Sequence, residues 1–144
     1  MEEKPIELLF IENSPEDIDL TLRTLKNCGF TISTKVIEDG QKAMEYLFEN
    51  SSKDPFASSM PKLLLLDLKL PKVNGLEILK HLKQHNKLKE IPVVIFSSSD
   101  EQIDVKKAYE LGANSYIVKP VDFEKFTESI QNLGTYWLTL NIPS

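Results

Sequence analysis

Three short, nearly continuous apolar runs constrain the fold of this chain more than any other feature. They span Ile6 to Ile11, Leu63 to Leu66 and Pro92 to Phe96, and a shorter run follows at Tyr116 to Val118. Strands with such runs are buried on both faces, which is typical of a parallel sheet covered by helices. A weaker, alternating segment from Thr31 to Glu38 predicts one more strand with a wetter face. The chain is therefore expected to form one five-stranded sheet.

Segments with helical periodicity follow each of these strands. Ser14 is a good N-cap and Pro15 suits the first helical position, so the first helix is predicted to begin there and to end before Gly29. The other four helices are predicted to begin at Asp39, Asn74, Asp100 and Asp122. Strands that alternate with helices predict an α/β, doubly wound fold, in which right-handed crossovers place helices on both faces of one parallel sheet.

The last two helices are patterned less regularly than the others. The fourth helix is predicted to turn Ile103, Ala108 and Leu111 toward the core, and Gly112 ends it at the usual position. Gly134 lies inside the fifth helical segment and disfavours its last turns, because glycine is a poor helix former.

The length and composition of the chain fit one domain. With 144 residues, of which 41% are hydrophobic, it can bury a core without a disulfide or a structural metal. We expect residues 1–144 to form a single domain with a core over about residues 6–133 and a tail over 134–144. The Ser- and Pro-rich segment 51–61 is the one long connection, which we expect to be a mobile loop or a lid.

Charge, hydropathy and cysteine content exclude several classes of protein. A formal charge of −5 and a pI near 5.1 argue against nucleic-acid binding, which depends on clustered Lys and Arg. No apolar run approaches the roughly 20 residues of a membrane helix, so no membrane association is expected. Cys28 is the only cysteine and cannot form an intrachain disulfide. It indicates the reducing cytoplasm, and we expect it to be buried or half-buried.

Polar side chains follow four of the predicted strands. They are Glu12 and Asn13 after the first strand, Asp67 after the third, Ser97 after the fourth and Lys119 after the fifth. The carboxyl ends of parallel strands form the ligand-binding edge of such a sheet, so we expect these groups to converge. The set suits phosphoryl transfer to Asp67, with a Mg²⁺ ion on the oxygens of Glu12, Asn13 and Asp67 and with charge compensation from Lys119 and Ser97.

Four ordered motifs extend this interpretation to a family. They are Ile11 to Asp17, Leu65 to Gly75, Pro92 to Ser97 and Gly112 to Pro120. Together they resemble the receiver domain of the response regulators of two-component signalling. The resemblance runs from about Ile6 to the last helix and implies a flavodoxin-like receiver fold with strand order 2-1-3-4-5.

The resemblance also implies the roles of individual residues. Asp67 would accept a phosphoryl group from a sensor histidine kinase or a phosphotransfer protein, and Lys119 would pair with the phosphate. Ser97 and Tyr116 would be the switch residues, and the backbone carbonyl of Lys69 would be a metal ligand. A cis peptide bond is expected before Pro120. Under this interpretation the chain is a single-domain signalling protein, not an enzyme, whose catalysis is limited to self-phosphorylation and self-dephosphorylation.

Asn13 departs from the family pattern, which usually has two acidic residues at the end of the first strand. An amide oxygen can bind Mg²⁺ but brings no charge, so metal affinity should fall. Either Glu12 reaches the metal itself and phosphorylation survives, or the chain is a degenerate receiver that acts as a phosphorylation-independent interaction module. The joint presence of Asp67, Ser97, Tyr116 and Lys119 favours the first alternative.

Three other interpretations are weaker. A phosphatase of the haloacid dehalogenase type resembles D-x-D, but position 69 is Lys, which removes the general acid. A flavodoxin-like electron carrier needs a phosphate-binding loop where Glu12 and Glu16 would repel the flavin phosphate. His81 and His85 have a spacing that can bind a metal, but a lysine-rich, solvated helix face explains them better.

The C-terminal segment from Tyr136 to Ser144 is more apolar than a free terminus. It either caps the core or forms a homodimer contact through the last helix. With Trp137 and the apolar stretch before Pro143, it is similar to the ending of small stand-alone regulators that accompany phytochrome-type kinases.

Overall fold

A computed structural model describes residues 5–49, 56 and 59–142 of the chain. Most of the predicted loop over 51–61 and the last two residues of the tail lie outside these ranges. The strands are β1 (Leu8–Ile11), β2 (Thr34–Ile37), β3 (Leu63–Leu66), β4 (Val93–Ser97) and β5 (Ser115–Val118). The helices are α1 (Pro15–Asn27), α2 (Gly40–Met44), α3 (Gly75–Gln84), α4 (Gln102–Glu110) and α5 (Phe123–Thr135). A π-helical turn extends α2 over Glu45–Glu49, another extends α5 over Tyr136–Leu140, and a 3₁₀ turn covers Leu88–Glu90.

The five strands form one parallel sheet in the order β2-β1-β3-β4-β5. This confirms the predicted doubly wound topology. The second strand is shorter than predicted, because it begins at Thr34 and not at Thr31. It lies at the edge of the sheet, and of its four residues only Ile37 is buried. None of the helices in the described ranges combines the length and apolarity that a bilayer-spanning segment needs.

The side chains of the central strands alternate between two separate cores. Leu9 and Ile11 belong to one core, which is covered by α2, α3 and α4, whereas Leu8 and Phe10 belong to the other, which is covered by α1 and α5. The same alternation runs through β3 and β4. Both faces of β1, β3 and β4 are covered, which confirms the interpretation of the three longer runs. The shorter run in β5 is less buried than predicted, because β5 lies at the other edge of the sheet, where Val118 is 40% exposed.

Four of the five predicted helix starts are confirmed by their capping bonds. The side chains of the N-cap residues Ser14, Asp39, Asn74 and Asp122 each accept the backbone N–H three positions further on. The fourth start is wrong by one residue, since the N-cap of α4 is Glu101 and not Asp100. Glu101 makes no side-chain capping bond; instead, the Ser99 Oγ donates to Asp104 in the first turn at 2.6 Å.

Two burial predictions are wrong. Ile103 is 62% exposed, because α4 is short and turns only Ala108 fully into the core. Cys28 is exposed, because it follows the last residue of α1 and precedes Gly29, whose φ of +87° turns the chain away.

His81 of α3 and His85, the residue that follows it, lie on a partly exposed surface as predicted, but both also make contacts within the protein. His81 and His85 both contact the ring of Phe48, with centroid distances of 5.9 and 6.0 Å. The Nδ1 atom of His85 also accepts the backbone N–H groups of Lys87 and Leu88, so this side chain caps the 3₁₀ turn that follows α3. These contacts give the histidines a structural role.

Gly134 does not end α5 as its helix propensity suggested. It is buried, and a Cβ atom there would lie 2.9 Å from side-chain atoms of both Leu25 and Phe30. Glycine at this position therefore lets α5 pack closely against the C-terminal end of α1. In the following turn Leu138 is buried, whereas Leu140 is 63% exposed.

Candidate functional site

The side-chain amine of Lys119 lies at the centre of three carboxylates at the carboxyl edge of the sheet. Its Nζ atom lies 2.6 Å from Glu12 Oε1, 2.8 Å from Asp17 Oδ2 and 3.2 Å from Asp67 Oδ2. The structure thus brings together Asp17 of α1 and the residues that directly follow β1, β3 and β5, which are far apart in the sequence. The predicted convergence of Glu12, Asp67 and Lys119 is seen in this structure.

Lys119 reaches this position from the end of β5. Its backbone N–H donates to the carbonyl of Ser97 at 2.8 Å, which extends the pairing of β5 with β4 by one residue. Its Nζ atom also lies 5.8 Å from the ring centroid of Phe96. The prediction of a cis peptide bond before Pro120 is wrong, because no peptide bond within the described ranges is cis.

Glu12 is the most deeply buried acid of the site, with only 1% of its surface exposed. Its Oε2 atom accepts the backbone N–H groups of Asn13 and Ser14 at 3.1 and 3.2 Å. Burial raises the pKa of Glu12 to about 7, because the hydrogen bond from Lys119 offsets the desolvation only in part and the charge of Asp67 adds to it. The carboxyl group of Glu12 therefore gains or loses its proton near neutral pH.

The amine of Lys119 remains protonated in this setting. Burial alone would lower its pKa, but the hydrogen bonds to Asp17 and Glu12 and the charge of Asp67 outweigh burial and raise the pKa above its ordinary value. Lys119 therefore supplies a fixed positive charge beside Asp67, which is what developing negative charge on a phosphoryl group needs.

The backbone around Asp67 fixes the direction of its carboxylate. The Asp67 N–H donates to the carbonyl of Ile11, and the Lys69 N–H donates to Asp67 Oδ1 at 3.3 Å. Gly75, the first residue of α3, packs against the same backbone, since a Cβ atom there would lie 2.2 Å from the Asp67 carbonyl oxygen. The side chain of Asp67 is 8% exposed, so it is enclosed but accessible from one side.

The predicted switch residues, Ser97 at the end of β4 and Tyr116 in β5, both contact the loop that follows β4. Ser97 is fully buried at the end of β4, and its Oγ atom accepts the N–H of Ser99 at 3.3 Å. The hydroxyl of Tyr116 donates to the Ser99 carbonyl at 2.8 Å. Burial raises the pKa of this phenol. Because Ser99 also binds Asp104, the loop after β4 links Ser97, Tyr116 and the first turn of α4.

Asp17 was not predicted as a site residue, although it belongs to the first motif. Its side chain is 28% exposed and binds Lys119 directly. The one sequence feature that could have indicated Asp17 as a site residue is its position in the first turn of α1, three residues after the N-cap Ser14. A carboxylate there lies close to the end of the preceding strand, but its partner is known only once β5 is placed.

Asn13 lies at the rim of the site and is exposed. Within the described residues, no group of three or more His, Cys, Asp or Glu is arranged to hold a metal ion by itself. A hard divalent cation would thus need neutral oxygens beside the carboxylates of Glu12 and Asp67. The amide of Asn13 and the carbonyl of Lys69 are such oxygens, and a donor set of two buried carboxylates and two neutral oxygens fits Mg²⁺ or a similar ion.

Comparison with known proteins places this chain and its fold in one family. Residues 8–131 match the family model of the response regulator receiver domain. The chain is 34% identical to the response regulator Rcp1 of Synechocystis sp. over 141 residues, which cover 97% of this chain and 95% of Rcp1. A crystal structure of the Mn²⁺-bound form of Rcp1 has a TM-score of 0.84 at 33% identity and covers 95% of this chain and 97% of that one.

Two further solved structures are similar over nearly the whole chain. The phosphorylated cyanobacterial phytochrome response regulator RcpA has a TM-score of 0.84 at 31% identity and covers 96% of this chain and 98% of that one. The bacteriophytochrome response regulator AtBRR has a TM-score of 0.70 at 41% identity and covers 97% and 100% of the two chains.

The chain therefore belongs to the response regulator receiver domains. These are phosphoryl-accepting signalling domains that use a divalent cation and interact with histidine kinases or phosphotransfer proteins. The family and the flavodoxin-like fold expected from the four motifs are confirmed. The alternative of a phosphorylation-independent module gains no support from these relatives.

Proposed function

We propose that Asp67 is the phosphoacceptor of this receiver domain and that Lys119 pairs with the phosphoryl group. The observation that carries this proposal is the ion pair at 3.2 Å between Asp67 Oδ2 and Lys119 Nζ, enclosed at the carboxyl edge of the sheet. A carboxylate in contact with a permanent cation can attack phosphorus while the cation stabilises the charge that develops on the phosphoryl oxygens.

The reaction is a direct exchange of one bond for another. An oxygen of Asp67 attacks the phosphorus of a phosphohistidine, and the P–N bond breaks as the O–P bond forms. The leaving imidazole keeps the electron pair and takes a proton from solvent. Water later cleaves the acyl phosphate and regenerates the carboxylate. The chemistry is thus limited to one group on the chain itself, without turnover of an outside substrate.

The residues proposed to hold a Mg²⁺ ion are Glu12, Asn13, Asp67 and the backbone carbonyl of Lys69. Such an ion would neutralise charge on the transferring phosphoryl oxygens. Glu12 is suited to compensate for the uncharged Asn13, because it is a long carboxylate already anchored by two backbone N–H groups and pointing at Lys119.

An apolar rim beside the site is suited to the phosphoryl donor. Val121 and Phe123 follow Lys119 in the chain and are fully exposed and 64% exposed, respectively. Together with Leu20 of α1, they border a groove that also includes Asp17 and Lys119. We propose that this rim binds the helix that carries the phosphohistidine of a sensor histidine kinase or a phosphotransfer protein. The resemblance to phytochrome response regulators favours a kinase of that type, acting in the cytoplasm.

We propose that phosphorylation is signalled onward by a change in protein contacts at α4, β5 and α5. Ser97 and Tyr116 connect the site to α4 through the loop after β4. The tail exposes Leu140 and Ile142, which are 63% and 88% accessible. Such side chains suit a homodimer contact through the last helix. Light scattering with and without a phosphate mimic tests the dimer, and equal masses at all concentrations would rule out a phosphorylation-dependent one.

Intact-mass measurement after treatment with acetyl phosphate tests the proposed acceptor. The wild type should gain one phosphoryl group in the presence of Mg²⁺ and little without it, and Asp67→Asn should gain none. Asp39→Asn is a suitable control, because it removes a carboxylate that follows the neighbouring strand β2. A phosphoryl group retained in Asp67→Asn would exclude the assignment.

A further inference from the structure

The carboxylate of Asp17 takes no part in capping helix α1, although an acidic residue at its position ordinarily does. An acidic residue three positions after an N-cap commonly accepts the backbone N–H of that N-cap residue. Here the N–H of Ser14 donates to Glu12 at 3.2 Å, while the N–H of Asp17 donates to Ser14 Oγ at 3.3 Å. The cap is therefore complete without the Asp17 side chain, which binds Lys119 instead at 2.8 Å.

The three carboxylates around Lys119 are not equivalent. An ammonium group has three donors, and here it faces Glu12, Asp17 and Asp67. In the proposed function, Glu12 and Asp67 also hold the cation, so Lys119 and the cation compete for the same oxygens. Of these three carboxylates, only that of Asp17 is not also a proposed ligand of the cation.

Asp17 is poorly placed to be a metal ligand itself. Its side chain is 28% exposed, whereas those of Glu12 and Asp67 are 1% and 8% exposed. Moreover, no group of three acidic, histidine or cysteine side chains in the described ranges is arranged to hold a metal. Any effect of Asp17 on the cation should therefore pass through Lys119.

We propose that Asp17 is a positioning residue that holds Lys119 at the edge of the pocket, so that Glu12 and Asp67 can release the amine and bind a divalent cation. This proposal rests on the proposed function, because it takes those two carboxylates as the metal ligands. It also gives the pocket a way to bind a cation with Asn13: when one acid is replaced by a neutral amide, the remaining two must be freed from the lysine.

A double-mutant cycle on Mn²⁺ binding tests this proposal without any phosphoryl transfer. Free Mn²⁺ is followed by electron paramagnetic resonance in titrations of the full chain. Asp17→Asn should weaken Mn²⁺ binding about tenfold, which is within the coupling range of contacting charged residues. In a Lys119→Gln background the same substitution should change the affinity less than about twofold, because there is no amine left to position.

Two further variants separate positioning from general charge and from folding. Asp19→Asn makes the same charge change on the same helix at an exposed residue that is paired with Arg23, and it should bind Mn²⁺ like the wild type. Asp17→Glu keeps the carboxylate and should restore most of the affinity lost in Asp17→Asn. Thermal unfolding should show that Asp17→Asn is folded, since the cap uses only the backbone of Asp17.

Each contrary outcome has a clear meaning. An equal loss of affinity in both backgrounds would show that Asp17 acts by through-space charge, which overturns the proposal. Unchanged binding in Asp17→Asn, or no binding by the wild type at millimolar Mn²⁺, would also overturn it. A wild type that binds Mn²⁺ but is not phosphorylated on Asp67 would contradict the proposed function alone, because the cycle would still report on Asp17.

Discussion

The Oε1 atom of Glu12 lies 2.6 Å from the Nζ atom of Lys119, and the two side chains are only 1% and 9% exposed. This contact joins the residue that follows β1 to the residue that follows β5. A buried pair of this kind gains little over apolar packing, but removal of one partner leaves an uncompensated buried charge. The site therefore combines a functional arrangement of charges with a cost in stability, and that cost is testable.

We predict that the metal-free protein loses stability as the pH rises from about 5 to 7. The pKa of Glu12 is about 7 in the folded state and 4.5 in its ordinary state. The folded state therefore binds more protons than the unfolded state in this window, and the free energy of unfolding falls with pH. The loss should be on the order of 3 kcal/mol, and it should level off above pH 7.

Urea unfolding at a series of pH values in EDTA measures this slope. Glu12→Gln should flatten it, whereas Glu38→Gln, which removes an exposed carboxylate after β2, should leave it unchanged. The raised pKa of Lys119 does not contribute here, because that group stays protonated throughout the window. A wild-type stability that rises between pH 5 and 7 would contradict the assignment.

Gly75→Ala should impair both stability and phosphorylation. The new methyl group would lie 2.2 Å from the carbonyl oxygen of Asp67 and 2.8 Å from the Cα atom of Leu68, and backbone atoms cannot yield as side chains do. We expect a loss of about 1–3 kcal/mol of stability and slower phosphorylation by acetyl phosphate, measured by urea unfolding and intact mass.

Gly40→Ala is the matched control for this effect. A Cβ atom at Gly40 would lie 1.8 Å from the carbonyl oxygen of Val73, so this variant should also lose stability. It displaces a different part of the backbone, and we expect its phosphorylation rate under folding conditions to remain close to that of the wild type. Equal slowing in both variants would show that lost stability, and not the position of Asp67, controls the rate.

Tyr116→Phe should loosen the loop after β4. The substitution removes the hydroxyl that donates to the Ser99 carbonyl at 2.8 Å, and a hydrogen bond of this kind contributes about 1 kcal/mol. Hydrogen exchange of the loop amides should become faster. Tyr136→Phe, at a tyrosine that is 51% exposed on the tail, is the control and should leave the loop amides unchanged. Unaltered exchange in Tyr116→Phe would remove this tyrosine from the proposed switch.

The sequence predicted the strands and helices because their signals are local and strong, whereas the strand order came from the resemblance to receiver domains. Four apolar runs mark four of the five strands, and the side chains that cap α1, α2, α3 and α5 are the expected residue types. Glu12, Asp67 and Lys119 directly follow strands and Ser97 is the last residue of β4, so the geometry of a parallel sheet was enough to bring them to one edge.

The features that were missed depend on contacts between distant elements. Asp17 contacts Lys119 across 102 positions of sequence, and its helix position alone does not reveal this partner. Ile103 is exposed because α4 packs through little more than Ala108, which periodicity in so short a helix cannot show. The roles of His85 and Gly134 likewise depend on the 3₁₀ turn and on Phe30, which come close only in the folded chain.

Chemical mapping of the phosphorylated residue tests the central claim most directly. The chain is treated with acetyl phosphate and Mg²⁺ and then reduced with borohydride, which converts an acyl-phosphorylated Asp to homoserine that peptide mass spectrometry can locate. We predict homoserine at position 67, no homoserine at Asp17 or Asp39, and no 2-amino-5-hydroxyvaleric acid, the corresponding product of an acyl-phosphorylated Glu, at Glu12. Modification at another carboxylate, with position 67 unchanged, would contradict the assignment of Asp67 as the phosphoacceptor and of Lys119 as its partner.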